Sequence, residues 1–110
     1  MPKNRYFYPI KTKGVEEKII LSSGDRSASI QLMGAELTSY KVGDLAYIWQ
    51  ANPAVWGRHA PILFPIVGRL KNNQYSYKGK TYSLGQHGFA RDRVFELVSS
   101  SDTTAVFSLR

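Results

Sequence analysis

A chain of 110 residues has room for one small domain, with a core but little to spare. Its ordinary apolar content excludes disorder as the default, and the absence of cysteine excludes disulfides, thiolate metal sites and a cysteine nucleophile. The net charge of +7 is unevenly spread: residues 51–91 carry Arg58, Arg69, Lys71, Lys78, Lys80 and Arg91 but no Asp or Glu. Such a stretch suits nucleic acid, an anionic sugar, acidic residues elsewhere in the fold, or plain solvated surface. No zinc-finger spacing, RNP-type aromatic motif or basic helix accompanies it, which argues against nucleic acid. No apolar run reaches membrane-spanning length, and the opening Met1-Pro2-Lys3-Asn4-Arg5 leads into no signal core. A soluble, cytoplasmic protein without a membrane partner is expected.

Residues 1–14 are expected to form a loose arm or an early edge strand, and residues 15–110 the folded part. From Lys18 the pattern is strand-like. Ile19-Ile20-Leu21 leads into the turn cluster Ser22-Ser23-Gly24-Asp25-Arg26, and Ala28, Ile30 and Leu32 then alternate with Ser29 and Gln31. Gly34 breaks the run. Leu37 to Val42 resumes it, Gly43-Asp44 predicts a tight turn, and Ala46-Tyr47-Ile48-Trp49 is the predicted returning strand, with Trp49 in the core. Residues 50–58 read as a loop. Pro61 and Pro65 bracket Ile62-Leu63-Phe64, predicting an irregular, buried segment. A third hairpin joins Gln74-Tyr75-Ser76-Tyr77 to Thr81-Tyr82-Ser83-Leu84. A loop over 85–92 precedes a fourth pair, Val94 to Val98 with Ala105 to Phe107.

No helix, internal repeat or low-complexity tract is indicated. Many short strands with Gly- and Asp-bearing turns indicate a mainly β protein, an antiparallel β-sandwich. Thr104 to Arg110 stops within a strand pattern, which predicts a sandwich cut short, with exposed edges open to self-association.

Few residues are equipped for chemistry. Of the two histidines, His87 sits in a glycine-flanked loop beside Gln86 and Arg91, and His59 has weaker company. No His or Glu pair has metal-ligand spacing, and neither a phosphate-binding glycine loop nor a Gly-x-Ser-x-Gly elbow is present. Trp56, in the Pro/Gly loop, is the better candidate for the wall of a site.

Gly34-Ala35-Glu36-Leu37-Thr38-Ser39, Tyr47-Ile48-Trp49, the 56–70 run with its Ala60-Pro61-Ile62-Leu63-Phe64-Pro65-Ile66-Val67-Gly68-Arg69 core, and Gln86-His87-Gly88-Phe89-Ala90-Arg91 together resemble the aldose 1-epimerase family. The LacX-like bacterial branch is the nearest match. The resemblance implies a galactose mutarotase-like β-sandwich, longer than this chain, that interconverts the anomers of a hexose or hexose phosphate without a cofactor. One group removes the proton of the anomeric hydroxyl, another protonates the ring oxygen, and the opened ring recloses on its other face.

In the family the base is a Glu near the C-terminus and the acid a mid-chain His. Both are expected beyond residue 110, leaving this chain without a catalytic residue. Glu36 matches a motif that reads as structural, and Glu96 lies on a strand. Arg69 matches the substrate-contacting arginine and His87 the histidine of the His-Gly loop. Gln86 and Arg91 match the substrate loop of the hexose-phosphate branch, but Gly57-Arg58-His59 stands where that branch has Arg-Gly-Gly. A salt bridge from Arg91 to Asp92 or Glu96 is the competing role. The alternative function is a non-catalytic carbohydrate-binding or sensing module.

Overall fold

The computed structural model describes residues 17–110. The arm or edge strand expected over residues 1–14 lies outside them. Eight strands follow in chain order: β1 (Lys18–Ser23), β2 (Arg26–Gln31), β3 (Glu36–Val42), β4 (Leu45–Ala46), β5 (Gln74–Tyr77), β6 (Lys80–Ser83), β7 (Glu96–Ser100) and β8 (Ala105–Ser108). All pairing between them is antiparallel: a four-stranded sheet in the order β1-β2-β3-β4, and the two hairpins β5-β6 and β7-β8. The only helical pieces among the described residues are the single 3-10 turns Lys71–Asn73 and Ala90–Asp92. No described helix is long and apolar enough to cross a membrane.

The turns explain why the strands pair as they do. β1 and β2 close with Ser23 opposite Arg26, and β3 and β4 with Val42 opposite Leu45. In both, glycine leads a two-residue turn with positive φ, 61° at Gly24 and 59° at Gly43, the choice that matches strand twist. β5-β6 turns on Lys78 and Gly79, both at positive φ. β7-β8 uses the longer 101–104 loop, where Ser101 Oγ accepts the amide hydrogens of Thr103 and Thr104.

Three departures from the sequence reading have physical causes. The returning strand after Gly43 is two residues long rather than four. The Tyr47 amide still donates to Tyr40 (2.9 Å), but the Trp49 indole N–H then donates to the Trp56 carbonyl at 2.9 Å. That bond draws the chain off the sheet and leaves Trp49 exposed rather than in the core. Val94 and Phe95 do not start β7, because Val94 bridges to Met33 and the Phe95 amide donates to Leu32 (2.9 Å). The proline-bracketed segment is irregular, as expected, and includes a cis Phe64–Pro65 bond. It is less buried than expected, with Ile62 and Phe64 exposed.

Packing is thin. Ala90 is the one fully buried apolar side chain among the described residues, beside the polar Glu36 and Thr38 on β3. Leu45, Tyr47, Val55 and Val67 are more than half exposed. The chain extends over 52 × 30 × 22 Å with a radius of gyration of 16.5 Å, where a compact domain of about 100 residues has about 13 Å. Its most buried point is where the start of β3 meets the Ala90–Asp92 turn.

Candidate functional site

Two loops meet around residues 64–68 and 85–91. The His87 amide donates to the Gly68 carbonyl at 2.7 Å, and the Gly68 amide donates to His87 Nδ1 at 2.9 Å. His87 takes a φ of 63° to make both contacts, a conformation that costs a non-glycine residue on the order of 1–3 kcal/mol. Strain of that kind collects where a side chain must be aimed.

The second bond fixes the chemistry of the ring. A nitrogen that accepts a hydrogen bond carries no proton, so the neutral imidazole holds its proton on Nε2 and offers an N–H donor on the side away from the clamp. A long-range 15N–1H correlation spectrum at neutral pH should show the Nε2–H tautomer for His87. An Nδ1–H tautomer would contradict the clamp.

Arg69 follows Gly68 directly, so the clamp sets it beside the histidine loop. Its side chain is exposed and has no hydrogen-bond or ion-pair partner among the described residues.

The loop is held from below by close backbone approach. The Phe64 carbonyl accepts the amides of Phe89 (2.9 Å) and Ala90 (3.2 Å), while Phe64 and Gly88 form a parallel bridge. The Phe64 and Phe89 rings meet edge to face, 6.2 Å apart.

A second feature lies on the other side of the Ala90–Asp92 turn. An open cleft of about 380 Å³ is lined by Met33, Glu36, Arg58, His59, Arg91 and Asp92. Glu36 is only 3 % exposed and organises this corner. Its Oε2 accepts the backbone amides of His59 (2.7 Å) and Ala60 (3.0 Å), and its Oε1 accepts from Gln31 Nε2 (3.2 Å). Arg58 closes the corner, with Nη2 donating to Asp92 Oδ1 at 2.7 Å and Nη1 to the Arg91 carbonyl at 3.4 Å.

Asp92 is thus paired with Arg58, and Arg91 makes no ion pair with Asp92 or Glu96 among the described residues. Arg91 instead donates from Nη2 to the Gln86 carbonyl at 3.3 Å, and its buried Nε–H has no partner. The cause is local geometry. Arg91 and Asp92 are consecutive on a 3-10 turn, where neighbouring side chains diverge.

The predicted residues therefore fall into two linked groups. Arg69, His87 and Gln86 gather at the Gly68 clamp, and Arg91 lines the cleft while bonding back to Gln86. Trp56 is exposed and precedes Gly57, which also lines the cleft. Sequence reasoning undervalued His59 and missed Arg58 and Asp92 as a pair. Their opposite charges were visible, but 34 residues of separation gave no signal that they meet. No group of His, Asp and Glu among the described residues could hold a metal ion.

Comparison with known proteins gives the chain's family. The family model for aldose 1-epimerase matches residues 17–110. Protein LacX of Lactococcus lactis subsp. lactis is 37% identical over 90 residues, covering 76% of this chain and 30% of LacX. The galactose mutarotase related enzyme from Lactobacillus acidophilus superposes with a TM-score of 0.80 at 49% identity, over 83% of this chain and 31% of that one. A galactose mutarotase-like protein from Lactobacillus casei ATCC 334 gives 0.79 at 40% identity, over 83% and 32%. The chain spans about 30% of the length of the curated relatives it matches. With the family model matching residues 17–110 and the β fold shared with these structures, this chain belongs to the aldose 1-epimerase family.

Proposed function

We propose that residues 15–110 form the N-terminal part of a galactose mutarotase-like sandwich. They supply one wall of a hexose site used for anomer interconversion by ring opening. The observation that carries this reading is the Gly68–His87 clamp, which leaves Nε2–H of a neutral imidazole free to donate in a loop bonded to the residue preceding Arg69, whose guanidinium is unpartnered among the described residues. Both are donors, suited to sugar hydroxyls and the ring oxygen, and Arg69 can also stabilise negative charge on an oxygen as the ring opens. Gln86 and Arg91 extend the wall towards the cleft, and Trp56 offers an apolar face at its edge.

Anomer exchange needs a base as well as donors. Glu36 is unsuited, since both its oxygens already accept hydrogen bonds and it is buried. Residues 51–91 contain no carboxylate. The proposal takes the acid and base from outside this wall, beyond residue 110, as the family resemblance implies, with no cofactor in the chemistry. A small-molecule sugar in the cytoplasm is the proposed partner.

Substituting Arg69→Ala is expected to lower hexose affinity by roughly tenfold to a hundredfold, the value of one or two charge-assisted hydrogen bonds. Its exposed position should hold stability within about 0.5 kcal/mol. Titration calorimetry with glucose and galactose, paired with a denaturant curve, checks both parts. Unchanged affinity would remove Arg69 from the site. Anomer exchange followed by NMR then tests turnover: this wall alone should give none, and clear acceleration over buffer would show that it already holds an acid and a base.

A further inference from the structure

We infer that Asp92 is a specificity-determining residue that keeps the cleft beside the sugar wall selective for a neutral hexose over a hexose phosphate. The inference rests on the proposed sugar wall and adds its substrate class.

Two guanidiniums, Arg58 and Arg91, face two carboxylates, Glu36 and Asp92, around the cleft. A phosphomonoester brings about −1.5 to −2 charges and three acceptor oxygens, and it is held where cations are free to converge on it. Here Arg58 is committed and Arg91 is committed in part. Arg58 commits Nη2 to Asp92 at 2.7 Å and Nη1 to the Arg91 carbonyl. Arg91 commits Nη2 to the Gln86 carbonyl. Glu36 is fully engaged by Gln31, His59 and Ala60, so its charge stays in place when a ligand arrives. The imidazole of His59, with Nδ1 3.8 Å from Glu36 Oε2, faces that same carboxylate.

An entering phosphate would have to displace Asp92 from Arg58 and then sit beside it. A sugar hydroxyl asks for a single donor, which Arg91 can give from Nη1. Asp92 is the movable element of the arrangement: its side chain is 56% exposed, and Arg58 is its one side-chain partner among the described residues. Replacing its charge frees Arg58 without opening the fold.

The test compares the protein with Asp92→Asn and Asp92→Glu. Glucose and glucose 6-phosphate are titrated by calorimetry, and inorganic phosphate by the NMR shifts of the Arg58 and Arg91 Nε–H groups. Asp92→Asn is expected to shift the ratio of the two sugar affinities by about tenfold or more towards the phosphate, as removal of one nearby like charge does. It should also gain saturable inorganic phosphate binding at Arg58, and Asp92→Glu should restore the original ratio. The inference falls if the unsubstituted protein already prefers glucose 6-phosphate by tenfold. It falls equally if Asp92→Asn moves neither the ratio nor the phosphate shifts. Should no sugar bind to either protein, the sugar wall itself is refuted. The inorganic phosphate titration then decides alone whether Asp92 keeps anions out: gain on Asp92→Asn upholds that exclusion, and no gain overturns it.

Discussion

Glu36→Ala is expected to destabilise the protein by about 3 kcal/mol or more, with the denaturant midpoint falling and the slope unchanged. The carboxylate sits at the buried start of β3 and accepts from two backbone amides more than twenty residues away, at His59 and Ala60, as well as from Gln31. Truncation leaves those donors in a place water reaches poorly. Each unpaired buried donor costs about 1–3 kcal/mol, before any cavity is counted. Glu36→Gln keeps one strong acceptor for the two amides and should lose only about 1 kcal/mol, which separates the hydrogen bonds from the charge. The amide signals of His59 and Ala60 should move upfield in the alanine variant. If alanine costs less than about 1 kcal/mol, Glu36 does not hold the 58–60 corner. A large cost would also support the proposal that this carboxylate is not the base: its two oxygens are occupied with holding the His59 and Ala60 amides and Gln31.

What could be read in the sequence, and what could not, divides along the range of the interactions. Each hairpin was predictable because its signal is local. Gly24, Gly43 and Gly79 stand at turn positions between alternating strands, and the observed pairs close on those turns. The strand that failed, after Gly43, was cut short by a side chain reaching across a loop, from the Trp49 indole to the Trp56 carbonyl. Periodicity cannot register such a contact. Burial was overestimated at Ile62, Phe64 and Trp49 because apolar residues were expected to find a core, and the described residues bury almost none of theirs.

At the site, family motifs pointed to Arg69 and His87, and the structure adds the reciprocal bonds between His87 and Gly68, the residue before Arg69. The competing role for Arg91, a salt bridge to Asp92 or Glu96, does not form among the described residues, and the Asp92 carboxylate turns instead to Arg58, 34 residues back in the chain. Ion pairs in a sheet protein are set by which loops the strands bring together, and that is information no short window contains.

Gly88→Ala should have the largest effect of any glycine-to-alanine change among the described residues, costing about 4 kcal/mol or preventing folding. Two penalties coincide at this position. Gly88 has a φ of 75°, which disfavours any side chain, and a Cβ there would run into the Phe64 carbonyl, with Pro65 Cδ 2.7 Å away. The carbonyl cannot retreat cheaply, because its oxygen already holds the amides of Phe89 and Ala90. Gly24→Ala supplies the control. That residue has a similar φ of 61° but open space around the added carbon, so it should lose only about 1 kcal/mol. The excess at Gly88 is then the clash alone. The same displacement would reach the site, since His87, next to Gly88, is bonded to Gly68, four residues on from Phe64, across the two segments that the clash pushes apart. Thermal melts of the two variants, with amide spectra of Gly68 and His87, check both consequences. Equal melting temperatures for Gly88→Ala and Gly24→Ala would mean that the 64–68 segment yields freely. The His87 ring would then have no rigid support from which to aim its Nε2–H at a sugar.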